Sequence, residues 1–435
     1  MAKKKKGCGC GCSVIIIVMI FWVIGIIFFG FINNDDIDPI DFEDIVIETV
    51  AETEEKTEID TQDLTEDYTE DISETQMQTE APTEEPTGLM DTTIYRGRMY
   101  NELNSVEKHI YDEMAKALSS GQLSLTIDDI DYNTYVDASY RAYDALYADH
   151  PEFFWLNGGW KANSTGGFGS QGIKYEIMCY DYWNYTTDKN GYIDAVMTAA
   201  RDIATQASTY PTDYDKMKFV HDYLVDNVTY DHFCSDKDSK TKPQVSSQQS
   251  HTVYGALIND LAVCDGYAKT YQLIMNMLGI ECEYIDGDAG GGHAWNFMKL
   301  DGKYYWMDVT WDDPDSKDYP HYTRYWYFNV DDATLKTDHT PEYKVMTPSC
   351  SSLDYSYYAC EGAYLNTYDF SKICAIAEAQ KAEGNINIKF ASKSEYKKAV
   401  KDLFTNRKWA DVPVLSGKTI VYETADNLLS ITIIY

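Results

Sequence analysis

The chain has 435 residues, 44% of them hydrophobic, with nine Trp and 37 Tyr, which excludes a chain disordered throughout and leaves room for two or three domains. Its 71 Asp and Glu against 36 Lys and Arg give a net charge of −35, so the basic footprint of a nucleic-acid-binding protein is missing. Much of that charge lies in residues 35–90, where 21 acidic side chains face one base, Lys56.

The chain opens with a basic and cysteine-bearing tail, residues 1–12, in which Lys3, Lys4, Lys5 and Lys6 precede Cys8, Cys10 and Cys12. Residues 13–32 then carry no charge. As a helix this stretch would be about 30 Å long, the thickness of a hydrocarbon core. It lacks a small-residue cleavage site, so the reading is an uncleaved transmembrane helix. Lysines before it and acids after it predict a single-pass cell-membrane protein with the N-terminus cytoplasmic and the C-terminal domains extracellular. Residues 33–95 are rich in Thr–Glu pairs and poor in aromatics, which predicts a self-repelling, disordered linker. Within it only the IVIETV patch at 45–50 has the pattern of a strand.

From residue 96 to 210 the sequence reads as a mostly helical scaffold. Asn104 and Glu107 have capping-box spacing, and Val106, Ile110, Met114 and Leu118 follow at intervals of four. A second helix is predicted from about Tyr135 to Tyr147, core at residues 153–155, and a Gly/Ser/Asn-rich loop over 157–170. A strand is predicted at 175–183 and a third helix from Tyr192 to Ser208.

Residues 211–345 hold the chemistry. A helix over 213–226 buries Met217, Val220, Leu224 and Val225, and His221 reads as a packed histidine rather than a ligand. Cys264 opens another helix, with Tyr267, Tyr271, Ile274 and Leu278 along one side and Gly279 as its stop. A thiol at a helix start meets exposed N–H groups and the positive dipole end, both of which favour thiolate. Gly266 is read as keeping the approach to the sulfur open, and a buried structural cysteine is the competing reading. Further on, two alternating segments flank Asp301-Gly302, the pair preferred in a two-residue type I′ hairpin turn. That turn puts Leu300 opposite Lys303, His293 opposite Thr310 and Asp308 opposite Trp295. His293 and Asp308 then become diagonal neighbours on one face, about 7 Å apart or less. A carboxylate there fixes the imidazole, whose other nitrogen can take the proton of Cys264.

Three blocks in order, C-D-G-Y-A from Cys264, H-A-W-N from His293 and D-V-T-W-D-D from Asp308, closely resemble the core of the transglutaminase-like superfamily, over about residues 211–315. The resemblance implies an α+β fold with a papain-like core, here flanked by the helical scaffold and by a small α+β domain over 346–435. It implies catalytic Cys264, His293 and Asp308, in a bacterial, membrane-anchored, extracellular member. The implied activity is thiol-dependent acyl transfer or hydrolysis at an amide bond of a peptide, protein or peptidoglycan stem. The alternative is an inactive peptide- or cell-wall-binding module that retains the fold.

The tetrahedral oxygen of such a reaction needs donors. The Cys264 N–H is one candidate and Tyr254 another, since Ile258 stands where papain-like enzymes carry Gln. Trp295, Trp306 and Trp311 are candidates for a substrate-cleft wall. No cofactor or metal is assigned: Asp312 and Asp313 lack a spaced oxygen-ligand loop, and Asp231, His232, Cys234 and His251 lack structural-zinc spacing. In the last unit INIKF at 386–390, a helix capped by Ser392 and Glu395, and two closing strands around Asp426-Asn427 predict a β-α-β-β order. Of the seven cysteines beyond residue 32, Cys350 and Cys360 are the first candidates for a disulfide.

Overall fold

Local signals start the helix after Asn104 as predicted. Asn104 Oδ1 accepts the N–H groups of Val106 and Glu107 at 2.9 and 3.1 Å, while the Glu107 carboxylate accepts the Asn104 N–H at 2.8 Å. Helix Ser105–Ser119 then buries Ile110, Met114 and Leu118 and leaves Val106 exposed. The computed structural model describes residues 46–48, 97–128, 130, 135–165, 172–235, 248–314, 322–342 and 347–435.

The first strand, β1 (Val46–Glu48), is the predicted patch inside the acidic segment. Next come β2 (Ser124–Ile127), helix Tyr135–Asp149, β3 (Leu156–Ser164) and β4 (Ile173–Cys179). The last three strands form an antiparallel sheet in the order β2-β4-β3. This corrects the loop predicted from residue 157. Pairing with β4 makes Leu156–Ser164 a strand, with a bulge between Leu156 and Trp160 where Gly158 takes a φ of +80°. The 96–210 region is thus a helical layer with its own sheet, and Phe153, Phe154 and Trp155 are buried in it.

Helices Lys189–Ala207 and Asp213–Asn227, β5 (Thr229–Tyr230), helix Val253–Ile258 and β6 (Leu261–Ala262) lead to the central helix Cys264–Met277. Residues Cys264 to Met275 of that helix are all buried. It lies between the preceding helices on one side and β7 (Cys282–Asp288) and β8 (Gly292–Leu300) on the other. With β9 (Lys303–Met307) and β10 (Thr340–Pro341) these form an antiparallel sheet in the order β10-β7-β8-β9. The hairpin register is the predicted one: Leu300 pairs with Lys303, and Asp301 and Gly302 both have positive φ, at 47° and 76°. Pairing stops at Asn296–Met307, because Asp308 leaves the ladder to cap helix Val309–Asp312.

A third sheet, in the order β1-β13-β14-β12-β11, closes the chain. Its strands after β1 are β11 (Tyr364–Leu365), β12 (Asn385–Phe390), β13 (Ile420–Ala425) and β14 (Ser430–Ile434). Helix Lys393–Val400 follows β12 with half of the predicted capping box. Ser392 Oγ accepts the Glu395 N–H at 3.4 Å, but the Glu395 carboxylate accepts the Tyr368 N–H instead.

Two predictions are corrected. Cys350 is buried and Cys360 exposed, and both are free thiols, so no disulfide joins them. The single-pass membrane assignment also fails: residues 13–32 lie outside the described residues, and among the described residues no helix is long and apolar enough to cross a membrane. The extracellular placement that followed from it loses its basis.

Candidate active site

Cys264 is the first residue of its helix, after Val263 in extended conformation, and it is 6% exposed. Its helix packs against β8, and the backbone amides of Ala294 and Asp265 act to lower the thiol pKa. The helix start does not prevail here as the sequence predicts. Burial, followed by the Asp265 carboxylate, pushes the Cys264 thiol well above its ordinary range despite those two donors. At rest the group is a neutral thiol. Gly266 serves packing rather than access to the sulfur. A Cβ there would lie 2.5 Å from the Ser250 carbonyl oxygen, so the glycine admits the 250–252 backbone.

His293 and Asp308 meet just beyond the end of the ladder, without the predicted Asp308–Trp295 pairing, with His293 Nε2 at 2.7 Å from Asp308 Oδ2. Asp308 is fully buried, and its other oxygen accepts the Trp311 N–H at 3.1 Å. Burial alone would raise this carboxyl, but His293 and His339 hold it well below the usual carboxylate range. With Nε2 engaged by Asp308, Nδ1 is the ring nitrogen left for a thiol proton.

Nothing in the sequence marks His339. It stands two residues before Pro341, which pairs with Gly287, which in turn pairs with His293. Across these strands His339 Nε2 reaches the same Asp308 oxygen at 3.0 Å, and its Nδ1 reaches Asp338 at 2.6 Å. Burial disfavours the charged ring, yet the bonds to the two carboxylates lift it to about 9, so it is protonated at neutral pH. Asp338 is held in turn by the Tyr327 hydroxyl and by Asn427 from the turn between β13 and β14. The C-terminal sheet therefore buttresses the site. In sequence His339 is one histidine in a polar stretch before a two-residue strand, too short for any periodicity.

His293, Asp308 and His339 each offer a metal-ligand atom, all within 4.8 Å of one another. They are the described residues that could hold a cation, although both imidazoles now direct Nε2 at one carboxylate oxygen. Trp295 and Trp306 are fully buried and pack as core, which corrects the cleft-wall expectation for both. Trp311 is half-buried and lies 4.4 Å from His339 and 5.7 Å from His293, ring centre to ring centre. Tyr254 stacks on Tyr192 at 4.5 Å and on Phe154 at 6.4 Å, so its ring is engaged away from the strand pair. Asp312 bonds His221 at 3.2 Å and accepts the Tyr327 N–H, and Asp313 accepts the Tyr267 hydroxyl at 2.7 Å. Both acids are structural. His221 is the packed histidine predicted, fully buried between Asp222 and Asp312.

The cysteine opens a helix that packs on the strand of a histidine held by a carboxylate, so thiol, imidazole and acid stand on neighbouring elements. Residues 200–310 match the Transglutaminase-like superfamily, and the chain carries a domain of that superfamily on an α+β fold. It is similar to kyphoscoliosis peptidase of Homo sapiens, 22% identical over 38% of this chain and 25% of the relative. It is also similar to the Mus musculus protein, 26% identical over 19% of this chain and 15% of the relative. The matched stretch thus spans a quarter or less of these curated relatives. A crystal structure of a TGase is 16% identical, with a TM-score of 0.26, over 45% of this chain and 53% of that one.

Proposed function

We propose that the chain is a thiol-dependent acyltransferase or hydrolase acting at amide bonds of a peptide, protein or peptidoglycan stem. The observation that carries this reading is the 2.7 Å bond between His293 and Asp308, on the sheet against which the Cys264 helix packs. His293 Nδ1 takes the thiol proton as the sulfur attacks the carbonyl carbon, and returns it to the departing amine or ammonia. Water or a second amine then resolves the Cys264 thioester. Asp308 keeps the imidazole oriented and stabilises its charged form, while His339 supports Asp308 from behind. Burial raises the Cys264 thiol, which favours proton transfer to His293 in concert with the attack. The Cys264 N–H at the helix start is a donor for the tetrahedral oxygen.

The test is incubation of the full chain with a mixed peptide and cell-wall library, read by mass spectrometry, with Cys264→Ala as control. Cleavage, deamidation or amine incorporation that falls at least ~10³-fold in the control, together with an adduct on Cys264, is the expected result. Burial of the Cys264 thiol favours one second reading, a binding module that keeps the fold without turnover. Binding of library peptides with no product and no adduct would establish it and overturn the acyl-transfer reading.

A further inference from the structure

Beside the first turn of the Cys264 helix the chain builds another row of thiol, imidazole and carboxylate. Cys234 lies in the short helix His232–Ser235, and its sulfur is 3.3 Å from His251 Nε2. Across the ring, His251 Nδ1 lies 2.9 and 3.0 Å from the two oxygens of Asp265. Each partner is itself held. The Cys234 N–H donates to one oxygen of Asp231 at 2.9 Å, the Ser250 hydroxyl donates to the other at 2.5 Å, and the Tyr180 ring stacks on His251. Asp265 is buried, whereas the His251 side chain is 30% exposed and Cys234 is half-buried. The anchor is inside and the sulfur is within reach of solvent. A nucleophile in hydrogen-bond range of a base that a third group orients is the arrangement of an activated thiol.

We propose that Cys234 is an activated thiol and a covalent modification site for low-molecular-weight disulfides and other small soft electrophiles, with His251 as its proton partner and Asp265 holding the ring. In the exchange, the Cys234 thiolate attacks one sulfur of a disulfide RSSR. A bond forms between Cys234 and that sulfur, and the S–S bond of the reagent breaks. The departing RS⁻ takes the proton on His251 Nε2, which came from Cys234, and leaves as RSH. Among the described residues Asp265 and Tyr180 are titratable groups against the ring, with Asp231 behind Ser250 and Lys269 further along the helix of Asp265. Burial opposes the charged imidazole, but Asp265 and then Cys234 more than offset it and lift His251 to about 10. The imidazole nitrogen 3.3 Å from the sulfur is placed to take its proton during attack. None of this depends on the acyl-transfer reading.

The experiment is limited alkylation of the full chain with iodoacetamide from pH 6 to 9, mapped cysteine by cysteine, with exposed Cys360 as internal reference. Cys234 should label at least ~10-fold faster than Cys360 at pH 6, with a shallow rise to pH 8. His251→Gln should remove that advantage at pH 6 and change little at pH 9. Oxidised glutathione should form its first mixed disulfide on Cys234. Labelling of Cys234 no faster than Cys360 at pH 6, or an unchanged rate in His251→Gln, would overturn the proposal. If the variant does not fold, the pH profile of the unaltered chain decides: a tenfold rise per pH unit rejects it.

Discussion

The first turn of the Cys264 helix lies close to two carboxylate–imidazole pairs built from the same residue types. His293–Asp308 is sealed between β8, helix Val309–Asp312 and the segment that carries His339, and the thiol beside it is buried and neutral. His251–Asp265 has a buried acid but a partly exposed ring, and its thiol partner is half-open to solvent. Residue types alone therefore do not determine reactivity. A dry sulfur waits for a substrate to complete its site, whereas a wet one beside an imidazole meets whatever small electrophile diffuses past.

Neutralising each acid in turn separates the two sites most directly. Asp308→Asn should lower kcat on an amide substrate by roughly 10²–10³-fold and leave Cys234 alkylation unchanged. Asp265→Asn should abolish the fast alkylation at pH 6 and, because its charge also bears on Cys264, change kcat by less than Asp308→Asn does. Steady-state kinetics and cysteine mapping on both variants check this, and equal effects on both readouts would erase the distinction.

A smaller effect concerns what supports the sealed site. The folded-state value of His339 is raised above its usual one of about 6.5. Its contribution to stability is therefore fully present below pH 6.5 and is lost as pH rises through about 9. His339→Gln should destabilise the chain by about 2 kcal/mol at pH 6, and denaturant midpoints should show the gap closing above pH 9. A gap that stays constant with pH would mean that His339 supports Asp308 by packing alone.

The smallest effect belongs to the open site. Gly266→Ala sets a methyl group 2.5 Å from the Ser250 carbonyl, next to His251. A loss of about 1 kcal/mol in chemical denaturation is expected. Cys234 labelling should slow a few-fold while the thioester chemistry at Cys264 keeps its rate.

What could be read from the sequence depended on how local the determinant was. The His293–Asp308 contact was legible because Asp301-Gly302 fixes a tight turn and each hairpin partner follows by counting. His339 was not, since a two-residue strand places it and no periodicity marks such a strand. The Gly158-Gly159 pair hid β3, whose bulge accommodates glycines that on their own read as loop. Helix-start chemistry predicted an ionised Cys264. Burial by elements far apart in sequence reversed that, and burial is a tertiary quantity. Cys234 and His251 were visible as residue types, but their 17-residue spacing fits no metal motif, and only the fold turns the ring between Cys234 and Asp265.

The six residues from Asp308 to Asp313 tie four other parts of the chain together. Asp308 holds His293 and His339, Asp312 holds His221 in the helix Asp213–Asn227, and Asp313 holds Tyr267 in the helix of Cys264. This segment is synthesised after both helices, and His339 follows later still. A nascent chain therefore carries its cysteine for some time without an oriented imidazole. The imidazole is oriented only when the acids dock, so the site is completed by residues made after the thiol and the imidazole themselves.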